Sequence, residues 1–288
     1  MSENRMLGII GGSGLYSIGG LTDIEEHKVS TPFGNPSAPI VVGTLEGKRT
    51  AFLSRHGTGH TINPTQVNYR ANIYALKSLG VKWIVSVSAC GSLREDYAPG
   101  HIVVPDQLYD HTRKRDYTFF DSVPVVHVGV ADPFCKKLSD ELYQAIQATG
   151  TPVHRGGTTI TIEGPRFSTK GESEIYRGWG LSLINMTTSP EAFLAREAEC
   201  CYAVMNHVTD YDVWHEAEEP VSVEQVIEIL MKNTEVAQDA IRKLVADFDT
   251  EDECEHHNAL ASARITDPAK IPPEELERLS LLVGKYYK

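Results

Sequence analysis

The sequence predicts an α/β fold, a single domain in which helices flank a central β-sheet. Two features lead there. Short apolar runs of strand length alternate along most of the chain with amphipathic stretches of helix length, the pattern of elements that share one sheet. At 288 residues with 41% hydrophobic side chains, the chain is also large enough to bury one sizeable core.

Strands are predicted at residues 7–10, 40–44, 50–54, 83–88, 101–104, 158–162, 183–185 and 202–208. Apolar periodicity predicts helices over 66–79, 133–149, 169–177, 190–199 and 221–246. The last is long, and it follows Pro220 and the acidic pair Glu218-Glu219, which favours a helix N-terminus. Beyond it, Asp247-Phe248-Asp249-Thr250-Glu251-Asp252-Glu253 is a like-charge run and reads as a solvated connection. Two short terminal helices follow, one starting at Pro272-Pro273. The expected organisation is a catalytic domain over 1–246 and an acidic connection with a C-terminal helical extension over 247–288.

A net charge of −12 disfavours nucleic acid and anionic membranes as partners. No apolar run reaches the length of a bilayer span, and the first residues show no signal-peptide pattern. A cytoplasmic location is expected. The five cysteines are odd in number and lack CxxC spacing, so buried free thiols are expected rather than disulfides or structural zinc. Cys254-Glu255-His256-His257 reads as solvated tail. His56 and His60 are four apart, but Gly57 and Gly59 argue against a helix that would aim both at one ion. No metal is expected.

Several predicted strands end in residues able to do chemistry. Gly11-Gly12-Ser13-Gly14 can cradle an anion or simply turn the chain. Arg55-His56-Gly57 supplies local positive charge for an anion in an acidic protein. Ser86-Val87-Ser88-Ala89-Cys90-Gly91-Ser92 ends a strand in small and hydroxylated residues. In Glu163-Gly164-Pro165-Arg166-Phe167-Ser168, Phe167 offers a face for a base or belongs to the core. Asp210 and Asp212 point to one side if the strand stays extended. Two close carboxylates push one pKa upward, which pairs a neutral donor with an anionic acceptor.

Read in order, Gly11-Gly12-Ser13-Gly14-Leu15, Arg55-His56-Gly57, Asn68-Tyr69-Arg70-Ala71-Asn72-Ile73, Ala89-Cys90-Gly91-Ser92-Leu93-Arg94, Glu163 to Ser168, Asn185-Met186-Thr187 and Thr209-Asp210-Tyr211-Asp212 resemble the motifs of the purine nucleoside phosphorylase family. Within it, the 5'-methylthioadenosine phosphorylases are the better match. The similarity spans about Leu7 to Ala246. It implies a single-domain nucleoside-phosphorylase-like fold with a central mixed sheet, and phosphorolysis of S-methyl-5'-thioadenosine without metal or organic cofactor, inorganic phosphate being the co-substrate. It further implies a phosphate site from Ser13, Arg55, His56, Ser88, Ala89 and Thr187, with Met186 against the ribose and Phe167 beside sugar and base. Asp210 would donate to purine N7 and Asp212 accept from the 6-amino group.

Relatives that take 6-oxopurines carry glutamate where Ser168 stands and asparagine in place of Asp210, and those that bind a 5'-hydroxyl carry histidine where Val223 stands. Val223, Val226 and Ile227 therefore suit an apolar 5'-methylthio group. His127 matches a residue that reaches into the neighbouring subunit's site, which implies a homotrimer or a hexamer built as a dimer of trimers. The chain departs from the family at Ser13, where threonine is usual, at Asn206-His207, where apolar residues are usual, and in its longer tail. The rival readings are a methylthioinosine or general purine nucleoside phosphorylase, and a nucleotide-binding module without catalysis.

Overall fold

The computed structural model describes residues 5–12, 15, 18–215 and 223–287, the side chains of residues 223–232 excepted. Among them the strands are β1 (Met6–Gly11), β2 (Thr22–His27), β3 (Ile40–Leu45), β4 (Lys48–Ser54), β5 (Val81–Ser92), β6 (Ile102–Val104), β7 (Gln107–His111), β8 (Val153–Arg155), β9 (Thr158–Ile162), β10 (Leu183–Asn185) and β11 (Cys201–Asp210). The helices are α1 (Tyr69–Ser78), α2 (Lys136–Gln147), α3 (Lys170–Gly178), α4 (Thr188–Glu197), α5 (Val223–Asp247), α6 (Pro273–Arg278) and α7 (Ser280–Val283). All eight predicted strands and all five predicted long helices are present.

The strands form one mixed sheet in the order β2-β3-β4-β1-β5-β10-β9-β7, with β11 pairing β5 and β6, and β8 pairing β6. β1 runs parallel to both β4 and β5 and is buried along its length, which is why it reads as a continuous apolar run. Alternate residues of β1 serve opposite faces. Met6 and Ile10 join a cluster with residues of α1, α4 and α7, whereas Leu7 and Ile9 join one with residues of α2 and α5. The helices start where local chemistry caps them: the Asn68 side chain accepts from Ala71 N–H, and Thr169 and Glu172 form a capping box.

The tail corrects the expectation of a solvated segment. His256 and His257 are buried, and Leu260, Leu279, Leu282 and Val283 belong to the same cluster as the sheet. The acidic run is tied down by charge and backbone. Lys137 pairs with Asp252 and Arg5 with Glu253, while Trp83 Nε1–H donates to Thr250 O at 3.0 Å.

At the end of α4, Glu197 is 6% exposed and accepts from the Thr118 hydroxyl and the Phe119 N–H, each at 2.8 Å. Burial outweighs those two bonds and pushes its carboxyl up to about 7. The folded chain therefore holds a proton there that the unfolded chain releases, a contribution present at low pH and lost as pH rises through about 7. Glu197→Gln cannot ionise, so it should gain on the wild type by up to about 3 kcal/mol between about pH 5 and about pH 8. Denaturation at the two pH values checks this. A difference that stays constant would contradict it.

Candidate functional site

A cavity of ≈ 300 Å³ lies where β1, β4, β5, β9, β10 and β11 end, large enough for a nucleoside-sized ligand. Ten of the predicted site residues line it: Arg55, His56, Ser88, Ala89, Phe167, Ser168, Met186, Thr187, Asp210 and Asp212. Ser13 lies outside the described residues. The side chains of Val223, Val226 and Ile227 do too, although Asn233, Thr234 and Ala237 farther along α5 line the cavity. His127 is exposed and does not line it; its N–H donates to Ala263 O at 2.9 Å.

Arg55 follows β4 and is 2% exposed. Its Nε and Nη2 bond the two oxygens of Glu191 at 2.8 and 2.9 Å, Nη2 also donates to Ser86 Oγ, and Nη1 donates to Val87 O. Burial opposes the charge, but Glu191 more than offsets it and holds the guanidinium firmly protonated. Tyr202 OH donates to the same carboxylate at 2.8 Å. Of the five guanidinium hydrogens, one on Nη1 has no partner among the described residues.

Burial first, and Arg55 second, hold His56 down to about 4. Its Nδ1 lies 2.9 Å from Ile62 O, so a neutral ring donates there and presents Nε2 as an acceptor. His60 stacks on it with ring centroids 4.4 Å apart. The resting site thus lacks the net positive charge that the Arg55-His56 pair suggests: one charge is spent on Glu191 and the other is absent.

Neutral hydroxyls also line the cavity. Ser88 Oγ and Thr187 Oγ1 are 2.9 Å apart. Thr187 precedes α4 without capping it, which leaves its hydroxyl to the cavity. Asn185 steadies this turn: its Oδ1 accepts from Thr161, and its Nδ2 donates to Thr188 Oγ1 and Asn206 Oδ1. The bond from Asn185 gives the buried polar side chain of Asn206 a partner. Gly164 has φ +67, and a Cβ there would fall 2.5 Å from Met186 Sδ. Only glycine lets the loop carrying Phe167 lie against Met186.

The acids sit at the end of β11, where the register with β5 shifts between Val208 and Asp210. Asp210 lies opposite Gly91, whose Cβ would meet Ile184 at 2.9 Å and Asp210 Oδ1 at 3.0 Å. Asp210 Oδ1 accepts from Asp212 N–H at 2.7 Å. Thr209 Oγ1 lies 2.5 Å from Asp210 Oδ2 and 3.2 Å from Cys90 O. One hydroxyl hydrogen serves only one of these, so when it goes to Cys90 the carboxyl of Asp210 must bring its own proton.

Asp212 takes φ 54. Burial raises its carboxyl pKa; the nearby hydroxyls of Ser173 and Ser168 oppose the shift without reaching hydrogen-bond geometry. Its Oδ2 is buried with no partner among the described residues. Sequence reasoning missed Glu191, Tyr202 and Thr209, which hold the assigned groups in place, and only the chain position of Thr209 beside Asp210 could have signalled one of them.

The profile of the Phosphorylase superfamily matches residues 6–246. S-methyl-5'-thioadenosine phosphorylase of Geobacter sulfurreducens is 53% identical over 283 residues, 98% of this chain and 99% of that protein. A methylthioadenosine phosphorylase sourced from an antarctic soil metagenomic library superposes with TM-score 0.92 at 45% identity, over 97% of this chain and 99% of that one. Methylthioadenosine phosphorylase from Schistosoma mansoni in complex with adenine gives TM-score 0.85 at 38% identity, over 90% and 99%. The chain belongs to the phosphorylase superfamily, within its S-methyl-5'-thioadenosine phosphorylase family.

Proposed function

We propose that this protein cleaves S-methyl-5'-thioadenosine with inorganic phosphate, giving adenine and 5-methylthioribose 1-phosphate. One observation carries the reading: the hydroxyl pair Ser88–Thr187 and the acid pair Asp210–Asp212 line one cavity, and Met186 and Phe167 line it with them to take the sugar and the base. Phosphate binds on the Ser88 and Thr187 hydroxyls and the remaining Nη1 hydrogen of Arg55. His56 Nε2 accepts from a phosphate O–H. Held under the anomeric carbon, phosphate is both nucleophile and counter-charge to the oxocarbenium-like sugar. That accounting calls for no metal or organic cofactor.

At the other end Asp210 delivers a proton to N7 of the departing purine, with Thr209 as its hydrogen-bond partner. Asp212 Oδ2, buried without a partner among the described residues, accepts from the 6-amino group. A 6-oxo group would set oxygen against that carboxylate and leave it unsatisfied, so adenine is preferred. Leu15 and Ala237 supply described apolar wall for the 5' end, and Val223, Val226 and Ile227 extend it in this reading. Adenine release that requires phosphate tests the proposal; release at the same rate without phosphate would make the enzyme a hydrolase.

The reaction belongs to purine and methionine salvage, and five free cysteines suit a reducing cytoplasm. The working unit is at least a homotrimer in which His127 completes a neighbour's site. Exposed Val125 and Ile265, joined by a backbone bond of 3.2 Å, form an apolar patch beside it. His127→Ala should weaken binding of the 5'-substituted nucleoside, seen as a raised KM. A fully active monomer in sedimentation under assay conditions would contradict this.

A further inference from the structure

Far apart in sequence, Cys135, Cys201, Cys254 and His256 bring three sulfurs and one imidazole nitrogen within 4.8 Å of one another. We propose that this cluster binds one zinc-class divalent ion in a closed tetrahedral Cys3His site that fastens the C-terminal extension to the catalytic domain. The inference is independent of the reaction assigned to the cavity.

The geometry fits. Two thiolates on a tetrahedral ion with bonds of about 2.3 Å stand about 3.8 Å apart, and Cys135 Sγ and Cys254 Sγ are 3.7 Å apart. Cys135, Cys201 and His256 are buried, Cys254 is half-buried, and all the cysteines are free. Half of the site is fixed by the core before the tail arrives. Cys135 precedes α2, Cys201 opens β11, and Cys135 N–H donates to Tyr202 O at 2.8 Å, locking the two segments together. The tail brings the other half on a short 3-10 turn, Glu255–Asn258, held by a bond from His257 N–H to Cys254 O.

The surroundings supply what such a site requires. His257 Nε2 lies 3.6 Å from Cys201 Sγ, placed to donate to a thiolate. Three thiolates, a neutral imidazole and a divalent ion sum to one negative charge. Arg196, whose guanidinium bonds the carbonyls of Gly129 and Asp132 at 2.8 and 2.6 Å, stands in electrostatic reach of all three thiols and offsets it. With four protein ligands no position is open for substrate, so the role is structural.

Protein isolated without metal-chelating resin and under reducing conditions should contain one zinc per chain by elemental analysis. Competition with a chromophoric chelator should give a Kd of roughly 10⁻⁷ to 10⁻¹² M, the range of structural zinc sites. Cobalt(II) in its place should show the charge-transfer bands of tetrahedral thiolate ligation. Cys254→Ser and His256→Ala should each weaken zinc by more than about 100-fold, beyond the loss of a second-shell contact, while Cys200→Ser, a buried cysteine outside the cluster, should keep full occupancy. Wild-type measurements stand even if a variant folds poorly. Wild-type protein with all thiols free and zinc weaker than about 10⁻⁶ M, or a Cys135–Cys254 disulfide in freshly isolated protein, would overturn the proposal.

Discussion

Asp210→Asn should lower kcat for S-methyl-5'-thioadenosine by about 10²–10⁴-fold, the range for losing a general acid, and should change KM far less. The amide keeps the shape and can still accept from Asp212 N–H, as Asp210 Oδ1 does now, so the fold around the turn is retained. What it cannot do is deliver a proton to N7. It can donate to a 6-oxo group, so activity on methylthioinosine relative to methylthioadenosine should rise. Paired kcat/KM values in wild type and variant check this. If the adenine preference survives unchanged, Asp210 takes no part in base choice, which then rests on Asp212 alone, whose carboxyl burial already raises.

Arg55→Ala should have two separable effects. It strands Glu191, which is fully buried and bonded by Arg55 on both oxygens, and breaking a buried pair in this way costs about 3–5 kcal/mol of stability. Chemical denaturation reads that loss. In the protein that still folds, phosphate KM should rise strongly while nucleoside KM stays nearly constant, because Arg55 lies at the proposed phosphate end, bonded to Val87 beside Ser88. Arg55→Lys should recover part of the stability but not the fork that bonds both oxygens of Glu191. An unchanged phosphate KM in folded Arg55→Ala would remove Arg55 from the site.

The elements and motifs that were legible in the sequence are local. β1, the helix starting near Thr169 and the ends of β5 and β11 each fall within a few residues, and burial on both faces of the central strands leaves an apolar run that stands out. β2, by contrast, is the exposed polar run TDIEEH at the sheet edge, and nothing in its period marks it as a strand. Charge was the less legible property. Arg55 reads as an anion ligand until Glu191, 136 residues away, is found on it.

The tail failed for the same reason. An acidic run looks solvated, yet Lys137 and Arg5 meet it from distant segments, and Leu260 and Leu279 close over the core behind it. The four-ligand cluster has no spacing signature because its residues come from the start of a helix, the start of a strand and the tail. Only the fold assembles it.

The most direct test of the central claim is kcat/KM, with and without phosphate, for methylthioadenosine, methylthioinosine, adenosine and inosine. The account predicts that turnover requires phosphate and that each 6-amino substrate far exceeds its 6-oxo counterpart, by up to about 10⁴–10⁵-fold where a buried acceptor is left unpaired. Methylthioadenosine should lead adenosine by a smaller factor, since an apolar contact of that size is worth only about 1–3 kcal/mol. Turnover without phosphate would contradict phosphorolysis, and methylthioinosine cleaved as well as methylthioadenosine would contradict the assignment of Asp210 and Asp212 to an adenine edge.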